Sequence, residues 1–226
     1  SLANLRELID EPRSLARDNG RVDTDRLWPD HEMVYYVNRV YRELARECKI
    51  IKDRNSTLCS IAVDGTTTPV LEINLDPRIL SVEAAHFVTK QNVLSFSSVK
   101  TFEQNPLWYT YVGIPTKFCL DATSKKLTFN YLIDFADTLK IRVSRMPLVP
   151  LVSDVDIPEF EEEYHDHFLN GIMAWMYSKQ DADTIDKVKA EEYRQKFLMD
   201  IDKIKRIEIY DRNVQNPSNN SLLAFR

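Results

Sequence analysis

Hydrophobic positions follow two different periods along the chain, and the change from one to the other divides it. Leu2, Leu5, Leu8 and Ile9 recur at helical spacing and break off before Glu11-Pro12. A proline disfavours helix in the residue before it, so a short first helix is predicted to end there. Residues 13–26 are polar and read as a loop. Trp28-Pro29-Asp30 then opens a longer helix with no proline or glycine as far as Ile51: proline suits a first turn, and Asp30 and Glu32 complement the positive helix end. Met33, Val37, Val40, Leu44 and Cys48 share its apolar face. Arg39, Arg42, Glu43, Arg46 and Glu47 lie opposite, with Glu43 and Glu47 each within one turn of an arginine partner.

From about residue 57 the period shortens to that of a strand. Ile61 and Val63, then Leu71, Ile73 and Leu75, alternate on either side of Asp64-Gly65, a favoured turn pair, which predicts a hairpin. Alternation resumes in 93–101, 117–120, 127–131 and 139–143, for six or seven strands in all, with Ser124-Lys125-Lys126 as an exposed hairpin tip. Helical spacing returns after Pro158: Phe160, Tyr164, Phe168, Ile172, Trp175 and Met176 predict a helix over 160–178. Asp181-Ala182-Asp183-Thr184 supplies capping residues for a final helix striped by Val188, Tyr193, Phe197, Ile201 and Ile204. The last residues have no period.

The order predicts an α+β fold: a helical bundle contributed by both chain ends, with an antiparallel β domain, sandwich or barrel-like, inserted between them. Residues 1–56 and 152–211 supply the helices, 57–151 the β domain, and 212–226 an extended C-terminal arm. Trp28, Tyr41, Tyr164, Trp175, Tyr193 and Phe197 are the candidates for helix packing or a subunit interface. The arm ends in Leu222-Leu223-Ala224-Phe225 behind a polar tether with Asn216 and Pro217, which suggests docking onto a partner.

Composition removes several functions. The chain has only four glycines in 226 residues, Gly20, Gly65, Gly113 and Gly171, so no GxGxxG turn, Walker loop or GxSxG elbow can be written. Its three cysteines, Cys48, Cys59 and Cys119, are too far apart for a metal knuckle and read as reduced core thiols. No run approaches a membrane span and the opening residues are not signal-like, so a soluble, non-secreted protein is expected. Much of the net charge of −5 comes from residues 159–180, which hold five acidic residues and one basic. No basic stripe is legible, so tight binding to nucleic acid is disfavoured.

One segment offers chemistry. In Glu161-Glu162-Glu163-Tyr164-His165-Asp166-His167, an α-helix would put Glu161 with His165 and Glu163 with His167, pairs able to hold a divalent metal in a small metal-dependent hydrolase. No further ligand is visible, since His31 and His86 stand in unrelated contexts and HExxH is missing. An acidic turn that offsets the helix dipole is the simpler reading, with no catalytic residue, metal or cofactor.

Leu27-Trp28-Pro29-Asp30-His31-Glu32-Met33 leading into 37–43, together with the Ile157–Asp166 stretch and Tyr177-Ser178-Lys179-Gln180-Asp181-Ala182-Asp183, resembles the head-to-tail connector or adaptor proteins of tailed bacteriophages. The pattern departs at Pro29, where that family usually carries a Ser or Thr able to cap the helix. The resemblance implies a non-catalytic virion protein, assembled in the host cytoplasm and placed in the neck at the portal vertex. It further implies a homo-oligomeric ring, typically a dodecamer, under the portal, which seals the packaged head and seats the tail or nozzle. Its expected partners are the portal protein, a tail or nozzle protein and other copies of itself. DNA would pass through the lumen without specific binding, and no membrane is involved.

Overall fold

In the computed structural model, which describes residues 3–18, 20, 22–180 and 185–215, the chain runs through α1 (Leu5–Ala16), α2 (Asp30–Cys48), β1 (Lys52–Asp53), β2 (Ser60–Asp64), β3 (Val70–Asn74), β4 (Ile79–Phe87), β5 (Asn92–Phe96), α3 (Val99–Phe102), β6 (Lys117–Asp121), β7 (Lys126–Ile133), β8 (Ala136–Arg145), α4 (Phe168–Tyr177) and α5 (Lys187–Gln215). It divides into a helical unit, Ser1–Ile50 with Pro147–Arg226, and a sheet unit, Ile51–Met146. The fold is mixed α+β, a sheet curled as a half-barrel with helices from both ends of the chain.

In the helical unit, α1 begins at a capping box: the Asn4 side chain accepts from the Glu7 N–H, and the Glu7 side chain accepts from the Asn4 N–H. The helix continues through Pro12 to Ala16, beyond its expected end. Pro12 forfeits one backbone hydrogen bond, but it is buried, and the next residue, Arg13, is anchored by a buried guanidinium. Tertiary contacts thus carry the helix past its breaker. Leu5, Leu8 and Ile9 of the α1 stripe and the whole α2 stripe are buried as their spacing predicts, Leu2 lying outside the described residues, and α2 ends at Cys48, with Lys49 left-handed at φ 54.

The helix expected over 160–178 divides. Residues Glu162–His167 wind as a tighter 3-10 helix, and α4 follows at Phe168. Apolar on most sides, α4 buries Phe168, Ile172, Met173 and Met176 between its neighbours. Gly171 allows that packing, since a Cβ there would meet both γ-methyls of Val40 at 2.9 Å and the Phe197 ring at 3.0 Å. Asp186, just before α5, accepts from the Lys189 N–H at 3.0 Å. The capping residues proposed at 181–184 lie outside the described residues. Of the α5 stripe, Phe197, Ile201 and Ile204 are buried and Tyr193 half-buried, whereas Val188 is 79% exposed and belongs to no core. Because α5 runs to Gln215, residues 212–215, expected in the arm, continue the helix.

The sheet unit holds eight strands in the order β1-β8-β4-β5-β6-β7-β3, with β2 beside β8. Its core joins Phe87, Phe118, Phe129, Leu127, Leu139 and Val143. Three expectations fail here. First, the Asp64-Gly65 hairpin does not form, because β2 pairs with β8 and β3 with β7. Gly65 instead donates its N–H to the Phe135 carbonyl at 3.0 Å, and a Cβ on it would lie 1.9 Å from the Ile133 carbonyl oxygen, so the glycine serves a close backbone approach. Second, the sheet is not wholly antiparallel: β5 and β6 run parallel, with Ser95 opposite Lys117, and the connection between them, through α3, is long enough for the crossover this needs. Third, β4 escapes the alternation pattern. Register shifts against β8 space its buried Ile79, Val82, Ala85 and Phe87 mostly by three, not two.

Candidate functional site

Two of the segments that carried the resemblance meet within the helical unit. Trp28, 2% exposed, donates its indole N–H to the Met176 carbonyl at 2.8 Å and sets its ring edge-on to Tyr177, with centroids 5.8 Å apart. Lys179 donates its ammonium to the Leu27 carbonyl at 2.9 Å and pairs with Glu32 at 2.9 Å. Two motifs about 150 positions apart therefore form one joint.

The stretch read as a polar loop is organised around Asp30, at the first turn of α2. Its carboxylate takes Arg6 at 3.1 Å, Arg26 at 3.1 Å and the buried Arg13 at 2.5 Å. Led by the hydrogen bond from Arg6, these contacts hold the Asp30 carboxyl down to about 2. Pro29 has no side chain to cap α2, and the carboxylate of Asp23 accepts the Asp30 N–H at 2.7 Å instead. Asp18 completes the turn by accepting from the Leu27 and Trp28 N–H groups.

The acidic turn Glu161–His167 is not the α-helical metal pair its spacing allowed. A 3-10 helix has three residues per turn, which takes Glu161 and His165 off a common face. His165 is 2% exposed. Its Nδ1 accepts from the Ala3 N–H at 3.1 Å, which places the proton of the neutral ring on Nε2, donated to the Phe160 carbonyl at 3.1 Å. Neither nitrogen keeps a lone pair for a metal. His167 pairs through Nδ1 with Asp200 at 3.1 Å. Among the described residues, no group of three or more His, Cys, Asp and Glu is arranged to hold a metal ion.

The aromatic candidates separate by burial. Trp28, Tyr41, Tyr164 and Phe197 are at most 2% exposed and pack within their own unit. Tyr41 accepts through its hydroxyl from the Glu159 N–H at 2.8 Å, and Tyr164 donates to Glu208 at 2.8 Å. Burial and that carboxylate push the Tyr164 phenol far above its ordinary range. Trp175 and Tyr193 are only half-buried. Trp175 stacks with the Tyr36 ring, centroids 6.3 Å apart, and carries the Arg39 guanidinium 4.7 Å from its own centroid. It lines a groove of about 520 Å³ between α2, α4 and α5, which Arg39, Glu43, Lys187 and Arg194 also border. The docking residues Asn216, Pro217, Leu222, Leu223 and Phe225 lie outside the described residues.

Two surfaces were not legible in the sequence. In the sheet unit, β5 exposes Val93 and Phe96 on opposite faces, and the connection after it exposes Leu107, Tyr109, Val112 and Ile114, apolar side chains available to a partner. In the helical unit, Glu43 and Glu47 turn away from the α2 arginines, Glu43 to Arg194 of α5 at 2.7 Å and Glu47 to Lys205 at 3.5 Å. The charge-balanced face expected on α2 is thus a row of exposed cations. The three cysteines are buried and unpaired, and burial pushes the Cys48 thiol up to about 12.

This is an α+β protein whose conspicuous features are joints and outward-facing surfaces, the organisation of a structural adaptor. The chain belongs to the SU10 adaptor protein family, a phage head-to-tail adaptor family, which it matches over residues 3–220. It is accordingly a bacteriophage structural component. Comparison with curated proteins finds no match. Among the described residues, no helix is long and apolar enough to cross a membrane.

Proposed function

We propose that the chain assembles as a homo-oligomeric ring, a dodecamer, beneath the portal vertex in the neck of the virion, where it seals the packaged head and seats the tail or nozzle without catalysing a reaction. The family match over residues 3–220 carries this reading. The geometry supports it, because of the two histidines in the catalytic candidate His165 is consumed as an internal hydrogen-bonding pin and His167 pairs with Asp200. The half-buried Trp175 and Tyr193 supply side chains for a contact between copies, and the exposed apolar surface after β5 supplies one for a portal or tail protein. The C-terminal segment with Leu222, Leu223 and Phe225 docks on the portal or on a neighbouring copy. DNA passes through the lumen without specific binding, in keeping with the net charge of −5.

The test is to mix purified chain with isolated portal rings from the same phage and count bound copies by native mass spectrometry. A closed complex with one adaptor per portal subunit is expected. Failure to bind portal, alone or in filled heads, overturns the proposal.

A further inference from the structure

On α2, Arg39, Arg42 and Arg46 are exposed and spaced by three and four residues, and exposed Lys49 follows at the helix end. The row extends for about 15 Å at the helical rise per residue. Glu43 and Glu47, the carboxylates nearest in sequence, are drawn to Arg194 and Lys205 of α5. None of the four cations forms an ion pair with a carboxylate among the described residues. The Arg39 guanidinium sits over the Trp175 ring, 4.7 Å from its centroid, which holds the cation at the edge of the groove.

The same unit carries the opposite charge elsewhere. Glu161, Glu163 and Asp166 are exposed on the 3-10 turn, and Glu163 and Asp166, three residues apart, stand on one side of it. The turn cannot reach its own stripe. Its Phe160 packs on Tyr41, with centroids 5.5 Å apart, and at about 100° per residue Tyr41 points some 100° to 160° around α2 from Arg39, Arg42 and Arg46.

We propose that the Arg39-Arg42-Arg46-Lys49 stripe is one half of a head-to-tail contact whose other half is the Glu161, Glu163 and Asp166 turn of a second copy of this chain. Two different complementary patches on one molecule are what a heterologous, ring-closing contact requires, and this inference rests on the ring reading above. Charge complementarity sets the direction and register of such a contact, while the groove beside the stripe, with Trp175 in its wall, gives it an apolar centre. Duplex DNA would meet the same four cations, but it would approach a chain of net charge −5, with Glu43, Glu47 and Glu191 close to the stripe.

The test uses two full-length variants, Arg42→Glu/Arg46→Glu and Glu161→Lys/Glu163→Lys/Asp166→Lys, with circular dichroism to establish that each is folded. Self-association is followed by sedimentation velocity at low and moderate salt, alone and on portal rings. Each variant should associate about tenfold or more weakly than wild type. An equimolar mixture should recover association with the two variants alternating, because the unchanged turn of the first meets the unchanged stripe of the second and the reversed stripe meets the reversed turn. A variant carrying both reversals should again self-associate. If wild type associates and neither reversal weakens it, or the mixture recovers nothing, this contact is wrong while the ring reading stands. If wild type fails to associate even on portal, both fall. Binding of a duplex oligonucleotide, abolished by Arg42→Glu/Arg46→Glu with self-association unchanged, would assign the stripe to phosphate instead.

Discussion

Across 162 positions of sequence, Nδ1 of His165 accepts the backbone N–H of Ala3 at 3.1 Å, so an imidazole joins the start of the helical unit to its second half. Its Nε2 proton goes to the Phe160 carbonyl. His165→Ala removes both bonds and leaves largely buried polar groups unmatched, for an expected loss of about 2 kcal/mol. His167→Ala breaks one partly exposed pair with Asp200 and should cost under about 1 kcal/mol. Urea unfolding followed by far-ultraviolet circular dichroism separates the two. Equal losses, or stabilisation of wild type by added zinc that His165→Ala abolishes, would restore the metal reading.

In the sheet unit, Asp53 and Arg145 pair at 2.6 Å, each with a side chain 8% exposed. Burial pushes the Asp53 carboxyl up, but hydrogen bonds from Ser56, Arg145 and the Asn55 N–H outweigh it and hold it well below the usual carboxylate range. A depressed carboxyl contributes its stability above the unfolded value of about 3.9 and loses it as pH falls towards the folded value. Wild type should therefore weaken progressively below about pH 4. Asp53→Asn should lose about 1.5–3 kcal/mol at neutral pH, because it removes the charge from the hydrogen bonds that Arg145 and the Asn55 and Ser56 N–H groups donate to it, and should show a flatter acid limb. Unfolding midpoints measured from pH 2 to 7 check both; a variant with the wild-type acid limb would assign the loss to other carboxylates.

Gly65→Ala and Gly113→Ala make a matched pair. Neither glycine has positive φ, so alanine is permitted by the backbone at both, and the contacts decide. At Gly65 the new methyl would meet the Ile133 carbonyl oxygen at 1.9 Å, and strands must separate to admit it. At Gly113 it would rest 3.7 Å from the Tyr131 ring, an ordinary contact. Expected changes are a loss of about 1–3 kcal/mol or more at 65 and a gain of about 0.5 kcal/mol at 113 from reduced unfolded-state entropy. Similar thermal midpoints for the two variants would show that the Gly65 approach is not tight.

Deleting residues 216–226 removes none of the residues described in α5, Lys187–Gln215. The truncated chain should keep its helical circular dichroism signal and unfolding midpoint while binding portal rings more weakly. Each apolar side chain lost from the dock would remove roughly 1.5–3 kcal/mol before ordering costs, repeated around a ring. Equal attachment of full and truncated chains to portal-containing heads would show that the segment does not dock.

What the sequence carried by itself was local and periodic. The buried faces of α1 and α2, the core strand of residues 127–131 and the stripe through Phe168 and Ile172 are written in spacing, because a helix or strand with one buried face must repeat its apolar residues at its own period. The motifs around Trp28 and Tyr177 carried the family, since they encode a joint whose residues must fit one another. The acidic turn is likewise legible as a run of letters, whereas the cations of α2 were legible only as members of a charge-balanced face.

Tertiary structure decided how those elements are partnered. Local turn chemistry at Asp64-Gly65 suggested a hairpin, but β2 found β8, more than seventy residues on, and the glycine was needed for that approach. Bulges against β8 hid β4 by changing its period, and ion pairs to Asp30 carried α1 past Pro12. On α2, Glu43 and Glu47 stand one turn from arginines, yet each pairs with a cation of α5, Arg194 and Lys205, and the α2 arginines face outward without them. Sequence spacing fixes which charges share a helix. Which of them remain unpaired depends on the helix packed beside it, because that helix brings competing cations within reach of the same carboxylates.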